Sequence, residues 1–188
     1  GADGRDTSFS GSIQGSGGLT KLGSGRFTLA GSGTQTGATH VAAGELVLAS
    51  SNALNEVTAV SVDAGATLTV QQSVSLGSLS GAGTVDLQAP RLAVGSNGSS
   101  TRWSGAITGS GGLAKRGTGV FTLAGHNTFA GDVSVEAGTL QLEGQGQVRL
   151  LVAQCTHDFR VRAVARLSDD SEASDDDAVS SGEPAADA

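Results

Sequence analysis

The chain has 188 residues, of which 37% are hydrophobic, with 30 glycines, two prolines, one tryptophan, no tyrosine and a net charge of −7. No stretch has the roughly 18 apolar residues of a membrane-spanning helix, and no secretion-signal pattern is present. Without a basic stripe to bind phosphates, we expect no nucleic-acid partner. The core must come from Val, Leu, Ile and Ala, which suits thin, regularly stacked layers.

Short alternating segments make up most of the chain after an expected N-terminal extension at 1–8. In chain order they include RFTLAG, ELVLAS, VSVDAG, TLTV, VFTLAG, DVSVEAG and TLQLEG. Alternation with a period of two predicts strands. The glycine that ends five of these seven segments permits the positive φ of a sharp corner. The sequence therefore predicts an all-β fold.

A repeat organises these strands. Residues 9–48 align without a gap with residues 103–142, a shift of 94 residues, and 23 of the 40 positions are identical. Repetition at this level indicates a repeat architecture. We divide the chain into the extension at 1–8, β-helical repeats at 9–143, an uncertain edge segment at 144–167 and an acidic tail at 168–188. The repeats comprise copy one (9–50), linking rungs (51–102) and copy two (103–143).

A shorter step is indicated inside the repeat, with a rung of roughly 22 residues. Two columns of apolar residues carry it: Leu19, Val41, Val62 and Val85, and Phe27, Leu48, Val70 and Leu92. The next members, Leu113 and Phe121, lie further on than one such step, so we expect one rung in four to hold about six extra residues, within 94–103. This spacing predicts a right-handed parallel β-helix of about six rungs. An antiparallel sandwich or barrel would not explain the fixed repeat.

Two sets of structural residues follow from this prediction. The expected inward residues are apolar side chains at alternate strand positions: Leu19, Phe27, Leu29, Val41, Leu46, Leu48, Val62, Leu68, Val70, Val85, Leu92, Leu113, Phe121, Leu123, Val135, Leu140 and Leu142. The expected turn glycines are Gly15, Gly23, Gly31, Gly44, Gly65, Gly109, Gly117, Gly125, Gly131 and Gly138.

The two copies resemble a known family. Their segments GSGGLTKLGSGRFTLAGSGTQTGATHVAAGELVL and GSGGLAKRGTGVFTLAGHNTFAGDVSVEAGTLQL are similar to the autotransporter-associated β-strand repeat, also called the passenger-associated transport repeat. Copy two keeps nearly all of the pattern, with Phe129 where Tyr is usual. Copy one departs at Gly33 and Gln35, where Asn and an aromatic are expected, so we expect a degenerate turn there.

The resemblance implies a surface-displayed or secreted β-helical passenger of a Gram-negative bacterium. Its partner would be an outer-membrane translocator barrel of the same parent chain. The sequence after Glu143 has neither rung spacing nor barrel strands, so we expect the chain to be a fragment or a processed product. Residues after about 147 are expected to be foreign to the passenger, for instance through a shifted reading frame. The segment 144–167 would be a last edge strand or an amphipathic segment, and 168–188 is too charged to bury a core.

The glycine-rich runs do not predict a nucleotide site. Lys21 and Lys115 do not complete a P-loop pattern, and no helix follows the glycines. We expect both lysines to be solvated residues on the outer face of a strand, where their charge would discourage lateral sheet pairing. We therefore expect no cofactor and no small-molecule substrate.

The other reactive residues are also given structural interpretations. The rung acids Glu45, Glu56, Asp63, Asp86, Asp132, Glu136 and Glu143 are expected to line an edge and not a catalytic cleft. His40 and His126 are expected to be solvated or to cap turns, and Asn97 with Gly98 is expected in a tight turn. Cys155 and His157 lack a second ligand pair, so we expect no metal and a free thiol. Cys155 is the only cysteine, which excludes an intrachain disulfide.

Three functions remain in order of preference. The first is a non-enzymatic stalk segment that supports export and surface display. The second is an adhesin module that contacts host or neighbouring cells through rung faces or through 94–103, with Trp103 as the residue to test. The third is a glycan-degrading β-helix enzyme, which would need paired acids on one face.

Overall fold

A computed structural model describes residues 3–143 and 160–164. Within them the backbone winds through about seven rungs, each one circuit of a solenoid, and every pair of strands is parallel. The predicted all-β parallel β-helix is confirmed. The described residues include no helix that is long and apolar enough to cross a membrane.

Short strands of two to five residues build the solenoid. In chain order they are β1 (Thr7–Phe9), β2 (Ser12–Ile13), β3 (Leu19–Lys21), β4 (Arg26–Leu29), β5 (Ser32–Gly33), β6 (Thr39–Val41), β7 (Glu45–Leu48), β8 (Ala59–Val62), β9 (Thr67–Val70), β10 (Val74–Leu76), β11 (Ser78–Gly81), β12 (Thr84–Leu87), β13 (Arg91–Val94), β14 (Thr101–Trp103), β15 (Ala106–Gly109), β16 (Gly112–Lys115), β17 (Val120–Leu123), β18 (Val133–Val135), β19 (Thr139–Glu143) and β20 (Arg160–Val164).

Three sides of the solenoid carry these strands. Sheet 1 has the order β1-β4-β7-β9-β12-β15, and sheet 3 has the order β3-β6-β8-β11-β14-β17-β19-β20. Sheet 2 is interrupted, because the pair β2-β5 and the four strands β10-β13-β16-β18 are separate. In the third rung a loop between β7 and β8 crosses this side instead of a strand. The chain visits the sheets in the order 1, 2, 3 in each complete rung.

The rungs are somewhat shorter than predicted, and none of the rungs within residues 3–143 has an inserted loop. Register pairs such as Thr7 with Phe27 and Thr101 with Phe121 show that one circuit takes roughly 20 residues. The spacing of such pairs runs from 17 to 22 residues along the described solenoid. The pairs that span 94–103 are 21 and 22 residues apart, so the prediction of an extra loop there is wrong. Those residues form an ordinary connection from β13 to β14, in which Asn97 accepts a hydrogen bond from the Ser99 amide (3.0 Å) and Gly98 has a φ of 74°.

The predicted columns also mixed residues from different sheets. In sheet 3 the partner of Val41 in the first rung is Lys21, and the column continues to Val62 and Gly81. In sheet 1 one column runs Phe27, Leu46, Leu68, Val85 and Ile107, and the other runs Leu29, Leu48, Val70 and Leu87. Leu92 lies in sheet 2 beside Val74 and Leu113. Alternation is the same on every side, so it could not separate the three sheets.

The two repeat copies occupy different sides of the solenoid. Phe27 lies in sheet 1, whereas its equivalent Phe121 lies in sheet 3; Leu19 lies in sheet 3, and its equivalent Leu113 lies in sheet 2. The 94-residue shift therefore corresponds to four rungs and two further sides. The prediction assumed that the repeat holds a whole number of rungs. It therefore needed an extra loop, which the structure does not have.

Most of the expected inward residues are buried. The exceptions, Leu19, Phe27 and Leu142, are partly buried and pack against the core. Further buried side chains that we did not predict include Leu76, Leu79, Leu87, Val94, Trp103, Ile107, Phe129 and Val133. Burial of these aliphatic columns supplies the main driving force for stacking the rungs.

The expected turn glycines fall into two classes. Positive φ values occur at Gly15, Gly23, Gly44, Gly65, Gly109, Gly117 and Gly138, but not at Gly31, Gly125 and Gly131. At the latter class the requirement is space. A Cβ on Gly131 would overlap the backbone of Gly111 in the preceding rung. Close approach of consecutive rungs therefore selects glycine where the corner conformation does not.

Candidate functional site

Lys21 and Lys115 lie inside the solenoid. Lys115 is fully buried and Lys21 is 3% exposed. The prediction that both are solvated residues on the outer face is wrong. The alternation of LTK and LAK already indicated this, since it places each lysine on the same face as Leu19 or Leu113.

Each ammonium group is held by three backbone carbonyls. The Lys21 Nζ donates to Leu22 O (2.9 Å) and Gly23 O (2.8 Å) in its own rung and to Ala43 O (3.1 Å) in the next rung. The Ala43 carbonyl directly precedes Gly44, which has a φ of 64°. The lysine therefore joins the corners of two consecutive rungs.

The second copy repeats this arrangement at the same offsets. The Lys115 Nζ donates to Arg116 O, to Gly117 O (2.8 Å) and, in the next rung, to Ala137 O (3.3 Å). The Ala137 carbonyl precedes Gly138, which has a φ of 71°. We call each of these lysines with its three carbonyls a lysine corner.

Burial disfavours the charged form of both side chains. Desolvation lowers the pKa of Lys115 from 10.5 to about 8. It also lowers the pKa of Lys21, against a smaller opposing effect of the Asp6 carboxylate. The three carbonyls thus replace only part of the lost hydration. The two are the only lysines of the chain, and its nine other cationic side chains are arginines.

An ion-paired cluster lies on the outer face of sheet 2. The Glu136 carboxylate pairs with Arg91 and, at 2.7 Å, with Arg116 Nε. Arg91 also donates to Ser134 Oγ (3.3 Å), and Arg116 donates to Ser75 Oγ (3.0 Å). We call these five residues the arginine brace. It spans the four rungs that contain β10, β13, β16 and β18.

The arginine brace covers small residues. Ala93 and Ala114 point outward between Ser75 and Ser134 in register, yet they are 4% and 0% exposed. Each arginine crosses the intervening rung to reach its serine, so its aliphatic stem packs over an alanine. Copy one lacks this cluster, because Leu22 and Ala42 stand where copy two has Arg116 and Glu136.

The rung acids are engaged with different partners along the solenoid. Glu45 pairs with Arg26 (2.8 Å) and accepts from Thr69 Oγ1 (2.7 Å), and Asp63 contacts His40 Nε2 at 2.9 Å. Asp86 accepts from Gln88, and Glu143 pairs with Arg102. No group of three acidic, histidine or cysteine side chains suited to a metal occurs in the described part of the chain. Cys155 and His157 lie outside the described residues.

The departures of copy one from the repeat pattern coincide with a polar groove. In copy two, Asn127 Oδ1 accepts from Ile107 N (3.0 Å), its Nδ2 donates to Gly125 O (2.9 Å), and Phe129 is buried. Copy one has Gly33 and Gln35 at these positions, and neither buried amide atom of Gln35 has a partner among the described residues.

A groove of about 490 Å³ opens beside Gly33, where sheet 2 is interrupted. Hydroxyl, amide and carboxylate side chains dominate its lining, which includes Ser32, Thr34, Ser51, Asn52, Asn55 and Glu56.

Trp103 does not lie on the surface. It is fully buried in the inward column of sheet 3, between Gly81 and Leu123. The prediction that it marks an adhesive loop is therefore wrong. The alternation of TRW places Trp103 on the inward face and Arg102 on the outward face, which a reading by residue type had missed.

Comparisons with known proteins agree with the repeat. Residues 19–48 and 113–142 match the family model described as passenger-associated-transport-repeat. The chain is 38% identical over 141 residues, 71% of its length, to the "Adhesin BmaC autotransporter" of Brucella suis biovar 1 (strain 1330). It is 48% identical over 42 residues, 22% of its length, to the "Extracellular serine protease" of Serratia marcescens. Each match covers 4% of the relative. No solved structure matches the chain.

Proposed function

Because the chain carries two passenger-associated-transport repeats and is a segment of an autotransporter passenger β-helix, we propose that it serves as part of a non-enzymatic stalk. The stalk holds a more distant region of the parent protein away from the surface of a Gram-negative cell. Its partner during export is the outer-membrane translocator barrel of the same parent chain.

The observation that carries this proposal is the continuous stacking of rungs. All strand pairs are parallel, sheet 3 is unbroken from β3 to β20, and the buried apolar residues form one cluster along the solenoid, although sheet 2 is interrupted in the third rung. The arginine brace and the lysine corners add links between rungs on two sides. Because each rung stacks on its neighbours, the solenoid is quasi-one-dimensional and the number of rungs sets the distance between its ends.

The same stacking suits a role in export. Each rung that folds outside the membrane buries apolar residues that the unfolded chain exposes. Each rung contacts mainly its neighbours, so folding can proceed one rung at a time as the chain emerges. Folding would therefore bias movement of the parent chain outward.

Replacement of residues 9–143 in the parent protein by a flexible Gly/Ser linker of equal length tests the proposal. We expect less passenger at the cell surface, measured by accessibility to antibody and to external protease, because the linker cannot fold and buries no apolar surface. The matched control is a variant of the parent protein in which an unrelated β-helical segment of equal length replaces residues 9–143. Its passenger should be displayed normally. Equal display of the linker version would overturn the proposal.

An adhesive surface is the second candidate, and the polar groove beside Gly33 favours it. The Brucella relative is named an adhesin. Substitution of the groove residues Asn52, Asn55 and Glu56 by alanine should reduce cell binding by the purified chain if the groove is adhesive. Deletion of 94–103 is not a suitable test, since it would remove the buried Trp103.

We propose no enzymatic activity for this chain. The Serratia relative is named a protease, but the match to it comprises 42 residues. Five of the seven rung acids, namely Glu45, Asp63, Asp86, Glu136 and Glu143, contact arginine, histidine, threonine or glutamine side chains. Assays for reducing-end release from polysaccharides and for casein cleavage should both be negative.

A further inference from the structure

Both lysine corners cross from one rung to the next at equivalent places. In each copy the third carbonyl belongs to the residue 22 positions after the lysine, immediately before a glycine with positive φ. The contact therefore depends on where the next rung places its corner. An apolar side chain at the same position would have no such dependence.

The apolar columns discriminate poorly between the native register of two consecutive rungs and a register shifted by two residues. A slip of one residue would turn the apolar side chains outward, which is strongly disfavoured. A slip of two residues preserves the alternation. Between β16 and β18, Leu113 lies beside Val133, and after such a slip it would lie beside Val135. Both arrangements place valine beside leucine.

The lysine distinguishes these two registers. A slip of two residues moves the corner of the next rung by roughly 6.6 Å along the strand. The ammonium group then loses the acceptor from the next rung while it remains buried. An ionised group that is buried without its partners is costly.

We propose that Lys21 and Lys115 fix the register in which the following rung docks. Each lysine selects the alignment in which its ammonium group meets the corner carbonyl of the next rung. The two sites lie in different copies and on different sides of the solenoid, so register is set again once in each repeat. This inference rests on the corner geometry and holds whether or not the segment serves as a stalk.

Cross-linking of outward-facing cysteines reports the register directly. Thr20 and His40 are register partners, whereas Ala42 would face Thr20 after a slip of two residues. The full chain carrying Cys155→Ser would bear either Thr20→Cys with His40→Cys or Thr20→Cys with Ala42→Cys. Each pair would be treated with dibromobimane, and the cross-linked fraction would be measured by mass spectrometry.

With Lys21 present, we expect the Thr20→Cys/His40→Cys pair to cross-link about tenfold more than the Thr20→Cys/Ala42→Cys pair. Lys21→Met keeps a long unbranched side chain but removes the charge. In that variant the Thr20→Cys/Ala42→Cys cross-link should rise at least about fivefold. Leu19→Met, which changes an apolar inward residue of the same strand, is the matched control and should keep the native pattern.

Two outcomes would overturn the proposal. One is a Lys21→Met chain that retains only the native cross-link, because the lysine would then affect stability without choosing the register. The other is loss of the β-sheet circular dichroism signal, because Lys21 would then be required for folding altogether.

Discussion

Trp103 lies beside Gly81 as its register partner in the preceding rung of sheet 3. Gly81 has a φ of 122° and no side chain, whereas Trp103 is the only tryptophan of the chain and is fully buried. The largest buried side chain of the described residues thus lies beside a residue that has no side chain. The pair shows how neighbouring rungs adjust to each other within one column.

Replacement of the buried indole should be costly. We expect Trp103→Ala to lower the free energy of unfolding by roughly 3–5 kcal/mol, because it leaves a cavity beside Gly81. Trp103→Phe should cost less. Urea unfolding followed by circular dichroism measures both, with Arg102→Ala on the outer face of the same strand as control. Equal effects of Trp103→Ala and Arg102→Ala would contradict the inward placement.

A charge in the inward column should disrupt the local stack. Leu113 is 1% exposed in sheet 2. We expect Leu113→Asp to cost more than about 3 kcal/mol, because the carboxylate would be buried without a partner. The matched control is Thr122→Asp, on the outer face of β17 between two inward residues. Thermal melting and limited proteolysis that did not change in Leu113→Asp would speak against the fold.

Stability should rise with pH above about 8. The pKa of Lys115 is about 8 in the folded chain and 10.5 in the unfolded chain. Between these values the unfolded chain binds the proton more tightly, so the free energy of unfolding increases with pH, by about 1–3 kcal/mol at most. Urea unfolding from about pH 7 to about pH 11 measures the slope.

The urea unfolding series is measured on the Cys155→Ser variant, which lacks the only thiol of the chain. Lys115→Met should flatten the rise, and the remaining slope should come from Lys21, whose pKa is lowered in the same direction. Stability that fell between these pH values in the Cys155→Ser chain would contradict the burial of the lysines.

The two lysines should resist amine reagents while the chain is folded. Acetylation by N-hydroxysuccinimide acetate should be at least about 100-fold slower at Lys21 and Lys115 than in the urea-unfolded chain, because reaction requires local opening. Peptide mass spectrometry identifies each site without interference, since there are no other lysines. Equal rates in the folded and unfolded chains would place these side chains on the surface.

The arginine brace should contribute modestly and in a salt-dependent way. Its charged side chains are about 40% exposed, so we expect Glu136→Gln to cost about 0.5–1 kcal/mol at low ionic strength and less at high salt. The exposed pair Arg5 and Asp3 supplies the control, and Arg5→Ala should have no measurable effect. An effect of Glu136→Gln that did not vary with salt would indicate packing and not ion pairing.

The class of fold could be predicted from the sequence, but the assignment of each strand to one of the three sheets could not. Alternation placed Leu46, Val62 and Leu140 on the inward face without reference to their neighbours in space. Alternation looks alike on all three sides, so it could not show that Val62 and Val85 belong to different sheets. The error in rung length follows directly from that ambiguity.

The type of a residue gave a wrong prediction where it conflicted with the place of that residue in the alternation of its strand. Lysine and tryptophan were assigned to the surface by type, although LTK, LAK and TRW place them inward. A buried ammonium group requires acceptors from a neighbouring rung, and no local sequence rule states which carbonyls will be there. The arginine brace was likewise hidden, because Arg91 and Glu136 meet only after the chain has made two further circuits.

The fractional winding of the repeat has a consequence for the genes that encode such chains. Repeated copies invite unequal recombination, which adds or removes one whole repeat at a time. Because the repeat is four rungs and two sides long, each event preserves strand alternation but turns everything beyond the junction by two thirds of a circuit. Copy number would thus set the direction in which a distal region faces, as well as its height above the cell. Three such events would return the distal region to its original orientation about the solenoid axis.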